Sequence, residues 1–195
     1  MNLEEYLKKN PKKFLIFDLD ETILKLRLPW SVYTEPIKEK LLSIDLNILD
    51  KLYKKQISLS ELQNEYVKKD RGMIDFFKTY NQSFESQLPG YDANPAVINF
   101  IKNDTSHTLF IWSSNCAPTV KKVLTEESIL GKFRTLVTRT DVDLIKPNPE
   151  GFSHIYKEGT DLKDYLFIGD NIADKQASES VGIDFFEVNY FRLIA

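Results

Sequence analysis

The sequence predicts an α/β protein with a doubly wound, Rossmann-like parallel sheet of five strands and a small helical cap. Apolar runs of strand length alternate with helix-length segments after Gly90. The run Phe14 to Phe17 is apolar throughout, which is typical of a strand buried on both faces of a parallel sheet. Residues 25–88 instead have a helical pattern. We therefore expect a core domain of residues 1–24 and 89–195 and a cap domain of residues 25–88.

The length, charge and cysteine content narrow the class of protein. A chain of 195 residues can bury a core without oligomerising, so we expect a monomer or a weak homodimer. The formal net charge is −3, and no basic block suggests nucleic acid as a partner. No apolar run approaches the roughly 20 residues that span a membrane. With Cys116 as the single cysteine and no signal-peptide pattern, we expect a cytoplasmic location.

The first elements follow from local patterns. The segment 3–9 predicts a short helix, which Pro11 separates from the strand at Phe14. Ser58 and Glu61 have the spacing of a capping box, so we expect a cap helix to begin there. The apolar residues of the cap recur at helical spacing and show no strand signal. They are Leu41, Ile44, Leu49, Leu52, Leu62, Tyr66, Ile74 and Phe77.

After Pro89-Gly90 the predicted elements alternate between helix and strand. Asn94 and Pro95 predict a helix over 96–102, because Asn caps a helix and Pro fits its first turn. The later strand predictions are 108–112, 135–138, 165–168 and 184–188. The later helix predictions are one that begins at Pro118, then 149–158 and 172–180.

Polar side chains follow three of the predicted strands. Asp18 and Asp20 follow the first strand, Ser114 and Asn115 follow a later one, and Asp170 follows another. Open α/β sheets bind ligands at the carboxyl ends of their strands. Asp18 and Asp20 lie two positions apart and start on the same side, so their repulsion favours a bound cation. A strand that ends in a solvated turn remains the alternative for this tripeptide alone.

We also expect a lysine near the carboxyl ends of these strands. Pro147 and Pro149 restrict the backbone around Lys146 and determine how it enters the following helix. Carboxylates, a hydroxyl group and a lysine are the groups that bind a phosphoryl group beside a metal ion.

These segments resemble the four motifs of the haloacid dehalogenase-like (HAD) hydrolase superfamily. The segment DLDET at 18–22 resembles the first motif, Ser114 the second, Lys146 the third, and GDNIAD at 169–174 the fourth. All four occur in chain order, with K-P-x-P and G-D-x-x-x-D spacing, and together they are specific. The resemblance covers the predicted core, whereas the cap matches only in position and type.

The resemblance implies a phosphatase that acts on a small phosphorylated metabolite. Asp18 would be the nucleophile that forms an aspartyl-phosphate, and Asp20 would be the general acid and then the general base. The phosphoryl oxygens would be bound by Ser114, Asn115 and Lys146. The helical cap would close over the site and exclude water.

The resemblance also implies a Mg²⁺ site. Its ligands would be Asp18, the backbone carbonyl of Asp20, and Asp170. Asp174 would orient Lys146 or a metal-bound water. Taken without the other motifs, Asp170 is better explained as a helix N-cap and Asp174 as a favourable charge in the first turn.

Several assignments stay open. Ser113 competes with Ser114, which is preferred because the family places its hydroxyl residue directly before a residue such as Asn115. Glu21 stands where many relatives carry glycine, which leaves the substrate class open. Four cap residues are suited to contact a substrate, and none is favoured singly: Arg27, Trp30, Tyr33 and Arg71. The alternative functions are a phosphomutase of the same superfamily and a non-catalytic protein that binds a phosphorylated ligand.

Overall fold

The computed structural model describes residues 2–43 and 57–193. Its strands are β1 (Phe14–Phe17), β2 (Leu24–Leu26), β3 (Tyr91–Ala93), β4 (Thr108–Trp112), β5 (Phe133–Val137), β6 (Tyr165–Gly169) and β7 (Asp184–Glu187). The main sheet has five strands in the order β5-β4-β1-β6-β7, and every neighbouring pair is parallel. The predicted five-stranded parallel α/β fold is confirmed.

Helices pack against this sheet and form the insertion. They are α1 (Leu3–Lys9), α2 (Trp30–Leu42), α3 (Leu59–Lys69), α4 (Met73–Glu85), α5 (Pro95–Asn103), α6 (Ala117–Glu126), α7 (Ile172–Val181) and α8 (Tyr190–Leu193). Helices α2, α3 and α4 lie between β2 and β3 in the chain, and we call them the insertion. Three residues of the predicted helical pattern, Ile44, Leu49 and Leu52, lie outside the described residues. Within the described part of the chain, no helix has the length and apolar character needed to cross a membrane.

Strand β1 lies at the centre of the main sheet. Phe17 pairs with Ile111 of β4 and with Ile168 of β6. Because these three strands are parallel and in register, the residues that follow them emerge at one edge of the sheet. Leu15 and Phe17 face one apolar cluster and Ile16 faces the other, which explains why the whole strand is apolar.

The insertion shares an apolar core with the main sheet. The same cluster that contains Leu15 of β1 also contains Tyr33, Leu62 and Phe77 of the insertion. A fully buried side chain of this size contributes about 1.5–3 kcal/mol. Apolar packing therefore holds the insertion against the sheet.

The predicted helix starts are present. The Ser58 N–H donates to the Glu61 carboxylate at 2.8 Å, and the Glu61 N–H donates to Ser58 Oγ at 3.2 Å, so the capping box of α3 is formed. At α5 the side chain of Asn94 accepts from the backbone of Val97, with Pro95 in the first turn. Both features match the predictions.

Two elements differ from the predictions. The segment 25–88, which shows no strand signal in the sequence, contains part of β2, and β2 pairs antiparallel with β3. A strand of three residues is too short to show alternation, and its partner lies beyond the insertion. The predicted helix at 149–158 is present as a shorter 3₁₀ helix at Pro149–His154. Gly151 disfavours an α-helix, and it lies against Trp112, where an added Cβ would come within 2.2 Å of the indole nitrogen.

Candidate active site

A cavity of about 440 Å³ is lined by residues of the insertion and by residues that follow the strands of the main sheet. It brings together all the residues predicted for the site. They are Asp18, Asp20, Ser114, Asn115, Lys146, Asp170 and Asp174. The common register of β1, β4 and β6 explains how residues so far apart in the chain meet at one place.

Lys146 is a buried cation of this cavity. Its Nζ lies 2.5 Å from Asp18 Oδ1 and 2.6 Å from Asp174 Oδ1, and its side chain is only 3% exposed. Burial alone would lower the pKa of Lys146, but the carboxylates of Asp174 and Asp18 outweigh it and raise that pKa above its usual value. The lysine is therefore a fixed positive charge beside Asp18.

Asp174 holds this lysine in place. While Oδ1 accepts from Lys146, Oδ2 accepts the N–H groups of Asp170 at 3.2 Å and Asn171 at 3.4 Å. The backbone of Gly169 lies so close that an added Cβ would come within 2.5 Å of Asp174 Oδ2. Glycine at this position of the fourth predicted motif is therefore required by packing. Both oxygens of Asp174 are engaged, which favours a supporting role.

Three buried carboxylates form a group that is suited to a metal ion. Asp18, Asp170 and Asp174 each have an oxygen within 4.8 Å of the others. Burial raises the pKa of Asp18 well above its ordinary value, although Lys146 opposes this. Burial, and then the charge of Asp174, raises the pKa of Asp170 to about 6. Crowded carboxylates with raised pKa values are a favourable environment for a hard divalent cation, which prefers oxygen ligands.

Asp20 lies at the junction between the main sheet and β2. Its Oδ1 accepts the N–H of Leu26 at 2.8 Å, so the short strand β2 orients this carboxylate. Burial raises the pKa of Asp20 to about 7, against the opposing effect of the Leu26 hydrogen bond. The carboxylate of Asp20 does not belong to the group of three carboxylates. The assignment of the Asp20 backbone carbonyl as a metal ligand stays a prediction.

Glu21 has a left-handed backbone, with φ of 59°. Residues other than glycine rarely adopt this conformation, because their Cβ approaches the backbone too closely. A glycine at this position would avoid that strain. The Glu21 side chain is paired with Lys25 at 2.8 Å near the rim of the cavity.

In the loop after β4, the two candidate serines lie in different surroundings. Ser113 is buried, where its Oγ donates to Asn115 Oδ1 at 2.9 Å and accepts the Asn115 N–H at 3.1 Å. Ser114 instead lines the cavity. The geometry therefore favours Ser114 for the predicted phosphoryl-binding role, and Ser113 shapes the loop.

Sequence reasoning missed a set of buried polar residues around the predicted phosphoryl-binding loops. Arg139 Nε donates to the carbonyl of Ser114 at 2.8 Å. Glu85, at the end of α4, accepts the N–H of Cys116 at 2.9 Å. Gln63 and Asn64 of α3 are buried as well. Their signal in the sequence is weak: two amides stand next to Leu62 on an otherwise apolar face of the helix.

Two of the four candidate substrate contacts in the cap line the cavity. Trp30 is 40% exposed, lines the cavity, and packs edge-on against Tyr33, which lines it too. Arg27 forms an ion pair with Asp92, and Arg71 forms one with Asp143. Neither arginine is part of the cavity lining.

The single cysteine, Cys116, is buried. Burial raises the pKa of its thiol to about 12, and the nearby carboxylate of Glu85 also raises that pKa. Such a thiol is a poor nucleophile at neutral pH.

Comparisons with known proteins agree with this architecture. The family model of the haloacid dehalogenase-like hydrolases matches residues 15–188. No curated protein matches the chain significantly. Among solved structures, the chain is similar to a HAD phosphatase from Thermococcus onnurineus, with 24% identity, a TM-score of 0.53, and coverage of 91% of this chain and 86% of that chain.

Two further structures share the fold. A Bacillus subtilis protein described as a HAD-hydrolase and bound to magnesium has 18% identity and a TM-score of 0.57, over 91% of this chain and 87% of that chain. A 2-haloacid dehalogenase from Pseudomonas syringae has 15% identity and a TM-score of 0.59, over 91% of this chain and 86% of that chain. With a family model that spans most of its length, the chain belongs to the haloacid dehalogenase-like hydrolases.

Proposed function

We propose that this protein is a magnesium-dependent phosphomonoester hydrolase that acts on a small phosphorylated metabolite through an aspartyl-phosphate on Asp18. The observation that carries the proposal is the buried ammonium of Lys146, which joins Asp18 to Asp174 beside Asp170. A fixed cation at a nucleophilic carboxylate reduces its repulsion of an anionic substrate.

The donor set fits Mg²⁺. Asp18, Asp170 and the backbone carbonyl of Asp20 would hold the ion, and Asp174 would support the site. The carboxylate oxygens of Asp18 and Asp170 lie within 4.8 Å of each other, and both groups are buried. When bound, Mg²⁺ supplies the positive charge that keeps the carboxylates ionised and offsets the charge of the phosphoryl oxygens.

The protein groups divide the reaction into two steps. An oxygen of Asp18 forms a bond to phosphorus, the ester P–O bond breaks, and Asp20 donates its proton to the leaving oxygen. In the second step Asp20 takes a proton from water, the water oxygen bonds to phosphorus, and the bond between Asp18 and phosphorus breaks, which frees the Asp18 carboxylate and inorganic phosphate. A pKa of about 7 suits Asp20 to both roles at neutral pH.

The size of the cavity supports a small substrate. Its volume of about 440 Å³ falls in the range of small-molecule sites, roughly 300–1,000 Å³. The half-exposed ring of Trp30 and the side chain of Tyr33 provide a wall for the leaving group. The monomeric or weakly dimeric state and the cytoplasmic location stay predictions.

The dehalogenase reaction is disfavoured by Asp20. A departing halide needs no proton, whereas a departing alkoxide does. The partly buried, oriented carboxylate of Asp20 therefore fits phosphate ester cleavage better, even though a 2-haloacid dehalogenase shares the fold.

A screen of phosphorylated metabolites tests the proposal. Wild-type protein with Mg²⁺ should release inorganic phosphate from one or more phosphomonoesters, and EDTA should abolish this. Asp18→Asn should keep the fold by circular dichroism and lose turnover, because an amide replaces the nucleophile at nearly constant volume. Activity of this variant within tenfold of wild type would show that another group attacks phosphorus.

Assays of halide release, phosphoryl transfer and ligand binding, run beside this screen, separate the alternatives. Halide release from 2-haloacids without phosphate release would favour a dehalogenase. Transfer of the phosphoryl group within a sugar, dependent on a bisphosphate activator, would favour a phosphomutase. Binding of phosphorylated ligands without any turnover would favour a binding protein.

A further inference from the structure

Asn64 of α3 makes two hydrogen bonds to the backbone of Ile145. Its Nδ2 donates to the carbonyl oxygen of Ile145 at 2.7 Å, and its Oδ1 accepts the Ile145 N–H at 2.9 Å. Asn64 is 7% exposed, so these bonds are shielded from water. A single side chain of the insertion thus contacts both backbone polar groups of the residue directly before Lys146. The carbonyl oxygen of Ile145 also accepts the N–H of Asn148 at 2.9 Å.

Gln63, the neighbouring residue of α3, reaches the other predicted phosphoryl-binding loop. Its Oε1 accepts from Arg139 Nη1 at 3.0 Å. Arg139 in turn binds the carbonyl of Ser114 through Nε at 2.8 Å and the carbonyl of Asn115 through its backbone N–H at 3.0 Å. The guanidinium therefore connects α3 to the loop that carries Ser114.

These contacts are directional, unlike the apolar packing of the same helix. Leu62, Tyr66 and Val67 of α3 are buried and anchor the helix to the core. Buried amides add a cost unless their hydrogen bonds are made, so Gln63 and Asn64 are poor choices for packing alone. Their hydrogen bonds specify where the two loops lie relative to α3.

We propose that Asn64 and Gln63 are positioning residues for the phosphoryl group, Asn64 through the backbone at Lys146 and Gln63 through Arg139 at Ser114. The inference rests on the proposed function, because that function assigns the phosphoryl group to Lys146 and Ser114. The inference adds that the insertion, packed against the main sheet, determines where Lys146 and Ser114 lie. A displacement of about 1 Å in a catalytic group can cost about 100-fold in rate, so the loss of either contact should be measurable.

The test compares Asn64→Leu with Arg71→Ala. Leucine has the same branched shape as asparagine, although it is larger, and it makes neither hydrogen bond to Ile145. Arg71→Ala is the matched control, since its ion pair with Asp143 at 2.6 Å also joins the insertion to the loop before Lys146, but the Arg71 side chain is 74% exposed and lies outside the cavity lining. For both variants we would measure kcat and KM on p-nitrophenyl phosphate, the dissociation constant of inorganic phosphate with Mg²⁺ by calorimetry, and the melting temperature.

Asn64→Leu should lower kcat by about 10- to 100-fold and weaken phosphate binding at least tenfold. Arg71→Ala should keep both quantities within about twofold. Equal effects of the two variants, or a lower melting temperature of Asn64→Leu with unchanged kcat and phosphate affinity, would overturn the positioning role and leave a purely structural one.

Gln63 provides a second test that does not depend on the folding of Asn64→Leu. Gln63→Leu should weaken phosphate binding, because leucine offers no acceptor to Arg139. Equal affinities in Gln63→Leu and wild type would contradict the proposal.

The phosphate measurement separates this proposal from the proposed function. A wild-type protein that binds phosphate but hydrolyses no ester would refute the hydrolase, while the binding constants of the variants would still decide the positioning role. A wild-type protein that binds no phosphate would overturn both.

Discussion

Lys146 Nζ and Asp174 Oδ1 lie 2.6 Å apart in the interior of the protein, although 28 residues separate them in the chain. Asp174, in the fourth predicted motif, therefore holds Lys146 of the third motif in place. Removal of one partner from a buried ion pair leaves an unsatisfied charge and typically costs about 3–5 kcal/mol. The pair thus links the stability of the core to the geometry of the candidate active site.

We predict that Asp174→Ala lowers the free energy of unfolding by about 3–5 kcal/mol without Mg²⁺, measured by urea denaturation. The variant loses one of the two carboxylates paired with Lys146, and it also loses the acceptor for the N–H groups of Asp170 and Asn171. Asp18→Asn should cost much less, because it leaves these backbone N–H groups satisfied and relieves carboxylate crowding. Similar losses in the two variants would argue against the supporting role of Asp174.

Asp20→Asn should distinguish substrates by their leaving groups. If Asp20 is the general acid, an alkyl phosphate should lose about 10²–10⁴-fold in the rate of the first step, and p-nitrophenyl phosphate should recover a measurable part of this. Asp18→Asn should recover none, since the nucleophile is needed for every substrate. The measurement is a single-turnover burst. Equal losses of burst rate for both substrates would remove the acid role of Asp20.

Stability without metal should fall as the pH rises. The pKa values of Asp170 and Asp20 are raised to about 6 and about 7 in the folded state, against about 3.9 for an unfolded aspartate. Groups with raised pKa values favour folding most below the unfolded pKa, and this contribution is lost as the pH rises through the folded pKa. In EDTA, the free energy of unfolding should therefore decrease from about pH 5 to pH 8.

Mg²⁺ should reverse this trend, because it binds ionised carboxylates and competes with protons. The increase in melting temperature on adding Mg²⁺ should be larger at pH 8 than at pH 5.5. Asp170→Asn is the control, and it should reduce both the pH dependence in EDTA and the effect of Mg²⁺. A wild-type protein whose stability in EDTA rises over this pH range, or a variant with an unchanged response, would contradict the assignment.

Two substitutions of Glu21 test whether the left-handed backbone in the first motif is strained. Glu21→Gly and Glu21→Ala both remove the exposed pair with Lys25, so their difference reports the left-handed backbone. Glycine should be more stable than alanine by about 1 kcal/mol, measured by chemical denaturation, because alanine is strained at positive φ. An alanine variant as stable as the glycine variant would show that the segment can relax to another conformation.

The parallel core was predictable because its signals are local. The apolar run of β1 requires burial on both faces, and the strand-to-helix alternation after Gly90 allows few other topologies. Once the strands are parallel, Asp18, Ser114 and Asp170 must emerge at one edge of the sheet. The motif spacing then added Lys146, whose Nζ lies beside Asp18 in the structure.

Other features depend on contacts between distant segments. The three-residue strands β2 and β3 have no readable alternation, and they form because the two ends of the insertion meet. The hydrogen bonds of Asn64 to Ile145 join residues 81 positions apart. No local propensity encodes such a pair, since an amide on an apolar helix face is unfavourable until its partner is in place.

By itself, the sequence determined the class of fold, the edge of the sheet where the polar residues gather, and the family motifs they resemble. Tertiary structure alone decided that Ser114 rather than Ser113 faces the cavity, that Asp174 uses both oxygens within the protein, and that α3 contacts both loops. The reason is physical: periodicity and turn chemistry act over a few residues, whereas side-chain orientation at a site is set by packing and hydrogen bonds between elements brought together by the whole fold.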